Sequence, residues 1–158
     1  MADHPQLALD AQLCFPLYAA TRAVTRTYAD LLGDLGLTYP QYLTLLALWE
    51  TDEPVTVGDL GTRLRLDSGT LTPLLKRLET AGFVVRRRDP EDERRVLIAL
   101  TSDGRAARER VTGVPARLVE ATGLTQRDAR ELRRILGRLL GALDGDRGSA
   151  TGRERESR

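Results

Sequence analysis

At 158 residues, with 41% hydrophobic and 30% charged side chains and a formal net charge of +1, the chain has the composition of one ordinary globular domain with a real core. No apolar run is long enough to span a bilayer, and no basic segment followed by an apolar one opens the chain, so a cytoplasmic protein without membrane attachment is expected. A single cysteine, Cys14, excludes an intramolecular disulfide, and a lone histidine, His4, leaves no metal site and no histidine-based catalytic cluster, so neither a cofactor nor an enzyme is expected.

Met1 to Gln6 has no periodicity and reads as an arm. From Leu7 to Leu35, Cys14, Leu17, Tyr18, Thr21, Val24, Thr25, Tyr28, Leu31, Leu32 and Leu35 recur at three- and four-residue steps, which predicts a long helix. Pro16 predicts a break or kink near Cys14, and Gly36 ends the segment. Thr38-Tyr39-Pro40-Gln41 is a capping box with proline in the first turn, opening a second helix through Leu43, Leu46, Ala47 and Trp49 that ends before Pro54.

Next comes a short helix with Thr56 as N-cap and Asp59 three residues on, Leu60 and Leu64 facing inward, and the link Arg65-Leu66. A further helix begins at Asp67 or Ser68. Leu71, Leu74, Leu75 and Leu78 form its buried stripe and Gly82 its stop, leaving Ser68, Thr70, Thr72, Lys76 and Arg77 outward. Pro73 implies that this helix starts late or is bent. These are helix-turn-helix proportions. Phe83 to Arg88 and Arg95 to Leu100 then predict a hairpin turning at Asp89-Pro90, a wing with Arg86, Arg87 and Arg88 on one strand and Arg94 and Arg95 near the tip. Between Arg63 and Arg88 seven cations stand against two anions, a net of +5 in a chain of +1. Charge concentrated on a segment shaped to fit a duplex points to double-stranded DNA, with the helix start in a major groove and the cations on phosphates.

After the wing, Ser102 or Asp103 is placed to cap a helix from about Gly104 to Val114, Pro115 to interrupt or bend the helical segment beyond it, and Thr125 with Asp128 to open a last helix carrying Leu132, Ile135, Leu136, Leu139, Leu140 and Leu143. That stripe exceeds what a lone surface helix needs, so the terminal helices predict a homodimer. Asp144 to Arg158 offers nothing to bury and reads as a disordered tail. The fold class is thus mainly α with a small β wing: one domain over residues 1–143, a winged helix-turn-helix at about 39–101, and dimerisation helices at about 7–35 and 104–143.

The wing motif DPEDERRVLIALT, following a helix-turn-helix, resembles the MarR family of dimeric winged-helix repressors over about residues 7–143. LCFPLY around Cys14, LTYPQYL around Tyr39, and LDSGTLTPLLKRLE resemble the organic-hydroperoxide sensors of that family, the OhrR group. The resemblance implies that Cys14 is the peroxide-reactive residue, supported by Tyr18, Tyr28 and Tyr39, and that Arg94 is the wing-tip arginine. It implies that the thiolate is oxidised to a sulfenic acid and then capped by a small cellular thiol or oxidised further. With no second cysteine, the chain is of the one-cysteine type. The expected function is a repressor of a pseudo-palindromic operator, released by organic hydroperoxide. Two alternatives are a MarR-type repressor answering a small aromatic ligand and a thiol peroxidase.

Spacing adds a constraint on the tyrosines. Fourteen residues of helix rise roughly 21 Å, so unless Pro16 breaks the helix drastically Tyr28 cannot reach Cys14 of its own chain, but it can be supplied by a partner across a two-fold axis.

Overall fold

The computed structural model describes residues 4–153, with side chains through Asp144. Two compact units divide the chain, one ending at Leu118 and one beginning at Val119.

The N-terminal helix is not continuous from Leu7 to Leu35. Two 3-10 turns, Pro5–Leu7 and Leu9–Ala11, precede α1 (Cys14–Leu31), and a third, Gly33–Leu35, follows it. The break expected at Pro16 is therefore a start. Pro16 occupies the first turn of α1, where backbone N–H groups have no intrahelical acceptor and a missing donor costs nothing. Gly36, at φ 63°, closes the segment.

Helix α2 (Tyr39–Leu48) opens on the expected box, in which Gln41 Oε1 accepts from the Thr38 N–H at 2.8 Å and from the Thr38 hydroxyl at 3.0 Å. Its buried residues are Gln41, Tyr42, Thr44, Leu45 and Leu48; of the apolar residues picked out from the sequence, Ala47 and Trp49 are partly buried against the core and Leu46 is exposed. An almost uniformly apolar helix has no polar face to mark its outside, so periodicity alone cannot orient it. The short strand β1 (Val55–Thr56) then runs into α3 (Val57–Leu64), capped by Thr56, whose Oγ1 accepts from the Asp59 N–H at 3.0 Å.

Arg65, in the left-handed conformation at φ 57°, turns the chain into α4 (Ser68–Thr80). Gly61 permits that turn, because a Cβ there would lie 2.9 Å from the Leu66 carbonyl oxygen. Asp67 is the N-cap, so α4 does not start late, and Pro73 lies within it. The bond lost at Pro73 is the one to the Gly69 carbonyl, on the exposed face where water can replace it. The inner face of α4 is Leu71, Leu74, Leu75 and Leu78, all buried. Each contributes on the order of 1.5–3 kcal/mol relative to exposure.

Strands β2 (Val84–Arg88) and β3 (Val96–Leu100) pair antiparallel, Val84 opposite Leu100 and Arg88 opposite Val96, and β1 adds to the far side of β3. The third strand had no legible signal, since two residues show no alternation. Thr101, rather than Ser102 or Asp103, caps α5 (Ser102–Arg110): its Oγ1 accepts from the Gly104 N–H at 2.9 Å and donates to the Gly82 carbonyl at 2.6 Å. One hydroxyl thereby serves both the helix start and the wing base. The helical path is interrupted between Arg110 and Val114, short of the expected end at Val114, and Pro115 is the second residue of the helix that follows, α6 (Val114–Thr122).

In the second unit Thr125 and Asp128 open α7 (Gln126–Arg153), with Asp128 Oδ2 accepting from the Thr125 N–H at 3.0 Å. The α7 backbone continues past Leu143 to Arg153, into the stretch expected to be a tail, while residues 154–158 of that stretch lie outside the described residues. Once a helix is nucleated, each added residue gains a hydrogen bond without further initiation cost, so α7 can outrun its apolar stripe. Leu132, Ile135, Leu140 and Leu143 of that stripe are exposed in the single chain.

Candidate nucleic-acid interface and redox site

The outward face of α4 presents Ser68, Thr72, Lys76 and Arg77 to solvent. Thr70 is also exposed but is tied into the cap. Its N–H donates to Asp67 Oδ1 and its hydroxyl to Asp67 Oδ2, both at 2.9 Å, and these bonds hold the Asp67 carboxyl below the usual carboxylate range. A pre-ordered first turn is what a helix needs if its N-terminal end is to dock rigidly.

The wing turn is built by two aspartates. Asp89, only 8% exposed, accepts the Glu91 N–H at 3.0 Å, and its own N–H donates to the Arg95 carbonyl at 3.0 Å. Asp92 Oδ1 accepts the Arg94 N–H at 3.1 Å. The three-arginine run and the tip arginines are thereby separated into roles. Arg95 pairs with Asp89 at 3.6 Å, Arg88 donates to the Glu93 carbonyl at 2.6 Å, and Arg86 is held by Glu79 of α4. Arg87 and Arg94 project into solvent, as do Lys76 and Arg77. Thr72, Arg86, Arg94 and Arg95 line one groove of about 490 Å³ together with Thr56 and Val57. The roles of Asp89 and Asp92 have a sequence signal, because aspartate at turn openings hydrogen-bonds the backbone two residues on. That of Glu79 has none, being a contact between a helix and a strand.

The redox candidates fall into two places. Cys14 is the first residue of α1 and is exposed, as are its chain neighbours Leu13 and Phe15 and, further back, Leu9. Tyr18, one turn on and 59% exposed, accepts a hydrogen bond on its hydroxyl from Arg22 at 2.8 Å. Tyr28, buried at the far end of α1, stacks on Tyr39, with 4.1 Å between ring centroids and 13° between planes. Burial, then repulsion by Tyr39 and Tyr42, pushes the Tyr28 phenol up to about 12, and burial also raises Tyr39. Within one chain the fold thus groups Cys14 with Tyr18, and Tyr28 with Tyr39, at opposite ends of an 18-residue helix.

No helix among the described residues is long and apolar enough to cross a membrane, and no three His, Cys, Asp or Glu side chains among them are clustered to hold a metal ion.

Residues 26–111 match the family described as Transcriptional regulator SarA/Rot. The chain is 47% identical over 141 residues to the organic hydroperoxide resistance transcriptional regulator of Bacillus subtilis, covering 89% of this chain and 94% of that one. It is similar in structure to AbfR of Staphylococcus epidermidis bound to DNA, both reduced (TM-score 0.72, 38% identity, 87% of this chain and 95% of that one) and overoxidised (0.71, 36%, 90% and 99%). MarR is a further structural relative, at TM-score 0.67 and 27% identity over 80% of this chain and 93% of MarR. The chain therefore belongs to the MarR-type winged-helix family of transcriptional regulators, in the branch that holds the Bacillus subtilis organic hydroperoxide regulator.

Proposed function

We propose that this chain is a homodimeric, cytoplasmic repressor that binds a pseudo-palindromic operator and releases it when an organic hydroperoxide oxidises Cys14. The observation that carries the proposal is the pairing, in one chain, of an ordered cationic reading head with an exposed cysteine at a helix start whose apolar side chains Leu13, Phe15 and Tyr18 are also exposed.

In the dimer, the exposed stripe of α7 and the exposed start of α1 supply the apolar surface to be covered, and residues 1–143 act as one domain. The two α4 helices then enter successive major grooves about 34–36 Å apart, Ser68, Thr70 and Thr72 near base edges and Lys76 and Arg77 on phosphates. Arg87, Arg88 and Arg95 add charge along the backbone, and Arg94 enters the flanking minor groove, reading its width and potential.

In the redox step the Cys14 thiolate attacks the terminal peroxide oxygen. A sulfur–oxygen bond forms as the O–O bond breaks, the leaving alkoxide takes a proton to become the alcohol, and sulfur is left as sulfenic acid. A small thiol then condenses with it, releasing water and leaving a mixed disulfide. Tyr18 of the same chain, and Tyr28 and Tyr39 of the partner, donate hydrogen bonds that favour the thiolate. A polar adduct in this packed region forces the dimer to rearrange and moves the two reading heads out of groove register. A differential of about 5.5 kcal/mol turns a population from almost all bound to almost all free, so one adduct leaving a few polar groups unsatisfied is sufficient. The protein acts as a regulator rather than a peroxidase: under excess thiol, peroxide consumption stays at background. The test is a mobility shift on the DNA upstream of the protein's own coding region, with and without organic hydroperoxide. Binding that ignores the oxidant rejects the proposal.

A further inference from the structure

Arg86 lies opposite Ile98 in the wing ladder, and it makes two bonds to one carboxylate in the last turns of α4. Its main-chain N–H donates to Glu79 Oε1 at 3.2 Å and its Nε donates to Glu79 Oε2 at 2.8 Å, with the two side chains 32% and 36% exposed. These bonds hold the Glu79 carboxyl below the usual range, so it is ionised near neutrality. An anion here requires explanation. Between Arg63 and Arg88 the acidic residues are Asp67, which caps α4, and Glu79. A carboxylate beside phosphates weakens binding unless it does something that outweighs the repulsion.

Geometry supplies the reason. The base of the wing is tied down by the pairing of β1 with β3 and by Thr101, whose hydroxyl and N–H donate to the Gly82 and Phe83 carbonyls. The chain nevertheless leaves α4 through Gly82 in the left-handed region at φ 81°, and beyond Arg87 the two wing strands pair only with each other among the described strands. A single side-chain bond between α4 and β2 would act as a hinge. Two bonds from both oxygens of one carboxylate, one of them to the strand backbone itself, resist rotation about either. We infer that Glu79 is a positioning residue for DNA reading: with Arg86 it forms a strut that fixes the angle between α4 and the wing, so that Arg94 reaches the minor groove when Thr72 and Lys76 are in the major groove. Arg86 is then a strut and not a phosphate ligand. The inference rests on the proposed reading of the wing as a DNA contact.

Glu79→Gln tests it with an opposite sign to simple electrostatics. The variant removes an anion near DNA, which by charge alone tightens binding, yet it keeps side-chain shape and one acceptor, so the fold is preserved. Operator affinity is measured across a salt series for the wild type, Glu79→Gln, Arg94→Ala and the double variant, with thermal midpoints as a check on folding and hydroxyl-radical footprints as a map of contact. The strut expects Glu79→Gln to bind about five- to tenfold more weakly, with a shallower salt dependence and loss of flanking minor-groove protection while major-groove contact is retained. The double variant should bind no more weakly than Arg94→Ala, because both changes remove the same wing contact. Affinity unchanged or improved in Glu79→Gln, or losses that add in the double variant, overturns the inference. If Arg94→Ala itself changes neither affinity nor salt dependence, the wing reading has failed and the strut falls with it.

Discussion

Tyr28 and Tyr39 lie face to face, 4.1 Å between centroids, so the end of α1 and the start of α2 carry their phenols as one stacked pair. With the Tyr28 phenol held up at about 12, it remains a protonated donor throughout the working pH range. Tyr28→Phe and Tyr39→Phe keep the rings and remove the hydroxyls. Each should leave operator affinity within about twofold and slow oxidation of Cys14 by roughly tenfold, followed by stopped-flow thiol loss. Unchanged oxidation in both variants would reduce the pair to core packing.

The same shift fixes a pH dependence of stability. Tyr28 binds its proton more tightly folded than unfolded, so its contribution is fully present below pH about 10 and is lost as pH rises through about 12. The full shift corresponds to about 2–3 kcal/mol. Tyr28→Phe should therefore flatten the fall in chemical-denaturation stability between those pH values. An identical alkaline fall in the phenylalanine variant would locate the effect elsewhere.

A mixed dimer separates the two ways of assembling the redox site. One chain carries Cys14→Ser and the other Tyr28→Phe with Tyr39→Phe, so the remaining cysteine meets intact tyrosines only if they cross the interface. Oxidation at close to the wild-type rate is expected. A rate as slow as that of the double-phenylalanine homodimer would refute the cross-subunit arrangement.

At the wing tip, Arg94→Ala should weaken operator binding about tenfold and reduce the salt slope by about one, whereas Lys76→Ala should lower the slope similarly without changing minor-groove protection. Fluorescence anisotropy over a salt series gives both quantities. An unchanged slope in Arg94→Ala would place the tip away from DNA.

Gly104 lets α5 pack against the base of the wing, since a Cβ there would collide with the Phe83 carbonyl oxygen, which also accepts the Thr101 N–H at 3.0 Å. Gly104→Ala should cost about 3 kcal/mol and lower the thermal midpoint by about 5–10 °C, while Gly113→Ala, with open space at its Cβ, should shift it little. Equal midpoints for the two variants would contradict the packing described.

Features decided within a few residues were legible in the sequence: the Thr38 and Thr56 caps, the leucine stripe of α4, Gly82 as its stop, and the Asp89 turn. Features that depend on groups far apart in the chain were not. Which face of α2 is buried is settled by neighbours, as is the single pairing of β1. The division of the wing arginines into Arg86 on Glu79, Arg88 on Glu93, Arg95 on Asp89 and outward Arg87 and Arg94 depends on the fold, because five like charges in one motif are equivalent until their partners are placed. The breaks expected near Pro16 and Pro115 are present, and in both the proline lies in the first turn of the helix that follows, where its missing N–H costs nothing.

The claim that oxidation of Cys14 is the signal is tested most directly by titrating operator complexes of the wild type and Cys14→Ser with organic hydroperoxide in the presence of a small thiol. Both proteins should bind DNA equally when reduced, and only the wild type should release it, in step with one adduct per chain by mass spectrometry. Release of the serine variant at the same peroxide concentration, or a fully modified wild type that stays bound, would contradict it.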